Sequence, residues 1–140
     1  MRRSMKKGFT LIEIVLVLAI AGLLLVIVFL AVSGAQKSRR DSQRKNDLSR
    51  LSSQIESYAS NTNGTYPTTL QIANFQPYIP TNFKDPSTGG NYTLTGLGTP
   101  GGVLYTIGNG TGCDGATALS LRKYKVEMTL EQGKACVDNL

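Results

Sequence analysis

Lys6-Lys7-Gly8-Phe9-Thr10-Leu11-Ile12-Glu13-Ile14-Val15-Leu16 sets one carboxylate at the front edge of a long apolar segment, directly after a basic leader. From Ile14 to Val32 run nineteen residues that are apolar throughout apart from Gly22, and no charge returns until Lys37. A helix of about 20 apolar residues crosses the hydrocarbon of a bilayer. A carboxylate carried to the middle of such a span costs roughly 2.5 to 3.5 kcal/mol, and less near its end. Glu13 therefore calls for a partner of opposite charge.

Downstream, Leu48, Leu51, Ile55, Tyr58 and Ala59 recur at three- and four-residue intervals, the apolar stripe of a helix. The first proline is Pro67, so the spacing predicts one helix from Phe9 to Ser60, about 75 Å if straight. Asn61-Thr62-Asn63-Gly64 ends it. Gly22 and Gly34 are its weak points, since glycine costs about 1 kcal/mol against alanine in a helix interior. Lys37 to Arg50 carries the remaining positive charge, and its plainest reading is a solvated helix face with local ion pairs such as Asp41 with Arg44 or Lys45. Attraction to anionic headgroups is a second reading of the same charges. DNA contact is the weakest, because it rests on charge clustering alone.

The remaining residues, 61–140, are rich in Gly, Thr, Asn and Pro and bury little core by themselves, so they should lean on the second half of the helix. Thr69 to Tyr78 holds a short helical turn, and Asp85-Pro86-Ser87-Thr88-Gly89-Gly90 reads as a loop. The expected strands are Asn91 to Thr95, Val103 to Ile107 and Lys123 to Glu131, the last with Tyr124, Val126, Met128 and Leu130 alternating against polar residues. The fold class is α+β: a long N-terminal helix on a small antiparallel sheet. Cys113 and Cys136 are the only cysteines, an even pair suited to a disulfide in an oxidising compartment.

The chain has fifteen Lys plus Arg against nine Asp plus Glu, a net charge of +6, but four of the basic residues lie in the leader. The basic character mostly reports that leader, and the nearly neutral head offers no footprint for nucleic acid. Histidine is absent, which excludes Ser-His and Cys-His nucleophiles and histidine metal sites. Asp85, Asp114 and Asp138 sit in loops but lack the dense oxygen spacing of a calcium site. No catalytic residue, metal or cofactor is expected.

The basic leader, Gly8, Phe9-Thr10, Glu13 and uninterrupted apolar run together resemble the N-terminus of type IV prepilins. The resemblance implies cleavage between Gly8 and Phe9 by a prepilin peptidase that also N-methylates Phe9. It implies that Glu13 meets the N-terminal amine of an adjacent subunit and sets its register. It further implies a homo-oligomeric helical filament, an assembly ATPase and a membrane platform, with Cys113 and Cys136 bounding a C-terminal disulfide loop. The organisation is then leader 1–8, membrane and filament-core helix 9–35, amphipathic continuation 36–60 and head 61–140. Before assembly the subunit would cross the cytoplasmic membrane once with its N-terminus inside, and afterwards stand at the cell surface. A pseudopilin of a secretion or DNA-uptake system shares the motif. An uncleaved membrane-anchored binding module fits the hydropathy alone. A secretory signal peptide would have a shorter apolar core.

Overall fold

The computed structural model describes residues 8–139; Arg2, Arg3, Lys6 and Lys7 of the leader lie outside the described residues. Helix α1 (Leu11–Asn61) is unbroken through Gly22 and Gly34. The chain divides into two compact units, one running to Gln36 and one beginning at Lys37, and α1 contributes to both.

In the first unit the side chains from Phe9 to Val32 are exposed on every face of the helix, with mean hydropathy 3.4 in its most apolar window. This helix is long and apolar enough to cross a membrane. A segment that is hydrophobic all round needs lipid or other protein about it.

In the second unit, α1 buries Leu48, Leu51, Ile55, Tyr58 and Ala59, the stripe legible in the sequence. Strands β1 (Val103–Ile107), β2 (Tyr124–Leu130) and β3 (Gly133–Asp138) form an antiparallel sheet in the order β1-β2-β3. Strand β2 is central, and its burial alternates residue by residue, with Tyr124, Val126, Met128 and Leu130 inward. Tyr124, Val126 and Met128 join Leu48, Leu51 and Ile55 in one core, to which Leu70, Phe75, Phe83 and Tyr92 from the intervening loops also belong. Fully burying one such side chain stabilises by about 1.5–3 kcal/mol.

Two elements differ from expectation. Asn91 to Thr95 is not a strand; it makes only single bridges, Lys84 with Asn91 and Thr93 with Gly102. Strand β3 replaces it in the sheet, closing a hairpin on β2 with Leu130 opposite Gly133. Within the Thr69 to Tyr78 stretch, a 3-10 turn forms at Gln76–Tyr78.

Candidate functional site

At its N-terminus, α1 is closed by a reciprocal cap. The Thr10 N–H donates to Glu13 Oε2 at 2.8 Å, and the Thr10 hydroxyl donates to the same oxygen at 2.7 Å. The Glu13 N–H in turn approaches Thr10 Oγ1 at 3.4 Å. This is the Ser/Thr-x-x-Glu capping box, in which the two residues satisfy backbone donors that the helix leaves open. The sequence signal was available, since Thr10 stands three residues before an acid ahead of an apolar run, but a reading centred on charge passes over it. Glu13 Oε1 makes no hydrogen bond among the described residues and stays open to a cation. Phe9, Ile12, Leu16 and Val17 surround Glu13 in an open apolar hollow of about 310 Å³.

The basic stretch that follows is a solvated face only in part: Lys37, Arg39 and Lys45 are exposed and the expected Asp41–Arg44 pair forms, but that pair lies inside the fold. Asp41, Arg44 and Asp47 are buried, and Arg44 has no exposed side-chain surface. Its guanidinium donates to Asp41 Oδ1 at 3.0 Å, Asp85 Oδ1 at 2.7 Å and Glu131 Oε1 at 3.2 Å. Arg40 grips Glu131 in two-pronged fashion at 2.5 and 2.8 Å. Asp41 also accepts the backbone N–H groups of Glu131 and Gln132, at 2.9 and 3.0 Å. One turn later, Tyr92 donates its hydroxyl to Asp47 Oδ2 at 2.8 Å. Burial and this bond push the Tyr92 pKa well above the usual phenol range.

The cluster ties α1 to the Asp85 loop and the β2-β3 turn. Gly101, at φ +85°, stands where any Cβ would strike Asp85 and crowd Tyr92. The guanidinium of Arg44 occupies the space beside Asp85 that a bound cation would need. Asp114 instead accepts the N–H groups of Ala116 and Thr117, and Asp138 accepts that of Cys113. Among the described residues, no group of three His, Cys, Asp or Glu side chains is placed to hold a metal ion. Cys113 and Cys136 are bonded with their Cα atoms 5.7 Å apart, joining the loop after β1 to strand β3.

Gly8, Phe9 and Glu13 thus stand together at the start of α1, whereas Cys113 and Cys136 belong to the second unit. An all-round apolar helix end carrying one capped carboxylate, together with a small helix-backed antiparallel sheet, defines an α+β architecture of pilin-like build. Residues 3–29 match the family described as the prokaryotic N-terminal methylation motif, the segment that type IV prepilins carry at their N-terminus. At this end the chain is accordingly similar to type IV pilins and pseudopilins. No curated protein and no solved structure matches it.

Proposed function

We propose that the chain is the structural subunit of a type IV pilus filament, cleaved between Gly8 and Phe9, N-methylated at Phe9 and assembled through the first half of α1. The observation that carries this reading is the methylation motif over residues 3–29, which runs into the first half of α1, where the apolar residues from Leu11 to Val32 are exposed on every face. Cleavage would leave an ammonium on Phe9, one helical turn before Glu13 and about 6 Å from it along the axis. The open Oε1 of Glu13 suits the ammonium of a neighbouring subunit, while Oε2 keeps the helix end capped. An incoming helix would then favour the stagger that pairs the charges, because an unpaired charge in an apolar core is costly. Helix packing and this pairing supply specificity where lipid already satisfies the apolar surface.

In this reading residues 9–35 form the anchor and later the filament core, 36–60 back the head, and 61–140 form the exposed surface. The peptidase-methyltransferase, an assembly ATPase and a membrane platform are the implied partners. The subunit is structural and carries no chemistry of its own. A pseudopilin is the second reading; the Cys113–Cys136 bond at the C-terminal end favours a pilin over it.

Intact mass and N-terminal sequencing of protein sheared from the cell surface test the proposal. A chain beginning at methylated Phe9 is expected. Full-length chain starting at Met1 and confined to membranes would overturn it in favour of a tethered module.

A further inference from the structure

In the second unit, the segment Asn91 to Thr95 and the loop from Gln71 to Phe83 border an open groove of about 560 Å³. A second hollow of about 250 Å³ shares Gln71, Leu94 and Thr95 with it, so the depression continues toward Tyr105. Volumes of this order suit a small-molecule ligand.

The side chains of Gln71, Thr81, Asn91, Thr93 and Thr95 all border the groove, and none of them makes a hydrogen bond among the described residues. The helix serines Ser42, Ser49, Ser53, Ser57 and Ser60 offer a contrast, because each donates its hydroxyl to its own helix backbone four residues earlier. Gln76 is anchored by donation to the Leu70 carbonyl at 3.2 Å, which leaves its Oε1 free. Beneath them, the Phe83 and Tyr92 rings pack 4.5 Å apart and give the groove a fixed floor.

No Lys, Arg, Asp or Glu lines the groove, and the one titratable lining group, the Tyr92 hydroxyl, is turned inward onto Asp47. An ionic ligand would lose hydration there without meeting a countercharge. A wholly apolar ligand would strand carboxamides and hydroxyls that now face water. Uncharged polyhydroxylated ligands escape both penalties, since they exchange water for amide and hydroxyl partners and lay their C–H faces on Ile79, Pro80 and Leu94.

We propose that this groove is a binding site for neutral oligosaccharides, with Gln71, Asn91 and Thr93 as its principal hydrogen-bonding residues. The site belongs to the head and is independent of filament formation. Its failure would leave the filament reading untouched.

The test is saturation-transfer NMR on the full chain in phosphatidylcholine nanodiscs, free of sugar-headed detergent, with chitotriose, maltotriose and 3′-sialyllactose as probes. Transfer to chitotriose or maltotriose is expected, with little to the charged trisaccharide. In a Gln71→Leu/Thr93→Val variant the affinity should fall about tenfold, as deletion of two neutral hydrogen bonds implies. Thr81→Arg, at the exposed rim, should block the groove while leaving the melting temperature unchanged, which separates lost binding from lost folding. Absence of transfer to both neutral sugars, undiminished binding by the variants, or equal binding of 3′-sialyllactose would overturn the proposal.

Discussion

Arg44 holds the most consequential single position in the second unit, because its guanidinium is fully buried among Asp41, Asp85 and Glu131. Burying these charges is costly, and their mutual attraction offsets the loss only while every member is present. Arg44→Met should therefore lower stability by about 3–5 kcal/mol in denaturant unfolding, as removal of one partner from a buried ion cluster does. Arg44→Lys should fall between the two, since an ammonium keeps the charge but loses the planar fork that reaches several acids at once. A loss no larger than that of a surface ion pair, about 1 kcal/mol or less, would show the cluster to be effectively solvated. Glu131 adds a pH dependence. The hydrogen bond from Arg40, with Arg44 behind it, draws its pKa from 4.5 down to about 2. The unfolded chain thus takes up this proton before the folded one does, so stability contributed by Glu131 is complete above pH 4.5 and lost as pH falls toward 2. Thermal melts across that window should show the loss in the native chain and a shallower slope in Glu131→Gln.

At the scale of elements, the Cys113–Cys136 bond closes a loop over a sequence separation of 23 and encloses all of β2. The Cys113→Ser/Cys136→Ser variant should lose about 3 kcal/mol in the chain-entropy account. Hydrogen exchange should show the 110–118 loop opening before the β1-β2 ladder does, because that loop is largely exposed and local stability follows burial. Uniform loss of protection across the sheet would contradict that order. The same elements explain what was legible beforehand. Helix α1 and strand β2 announce themselves by period, and their inward residues follow from it, whereas β1 shows only as a short run of branched and aromatic residues. Strand β3, Gly133-Lys134-Ala135-Cys136-Val137-Asp138, lacks alternation and is poor in branched or aromatic residues, so nothing local marks it. It forms because β2 presents a free edge and because Asp41, some ninety residues away, holds the N–H groups of the turn. The charge cluster was hidden for a related reason. Asp41 and Arg44 continue the three- and four-residue spacing of Leu48, Leu51 and Ile55, but a stripe read from apolar residues alone stops at Leu48.

For the whole molecule, the decisive question is which of its two tasks makes Glu13 necessary, since the cap on Thr10 and the proposed pairing with a neighbouring ammonium use different oxygens. Thr10→Val removes the capping hydroxyl and leaves the carboxylate. Loss of an N-cap costs about 1 kcal/mol, roughly a fivefold effect on the helix end. Glu13→Gln keeps a hydrogen-bond acceptor for the Thr10 N–H but strips the charge, so the neighbouring ammonium would enter the apolar core unpaired. At about 2.5–3.5 kcal/mol for such a charge, the assembly equilibrium should fall on the order of a hundredfold. Quantifying subunit in sheared surface filaments, with membrane levels as the control for expression, should then show substantial assembly by Thr10→Val and almost none by Glu13→Gln. Equal collapse in both would make the capping box the essential function of Glu13 and remove the register argument. Normal assembly by Glu13→Gln would remove the charge pairing itself, leaving helix packing as the only source of stagger.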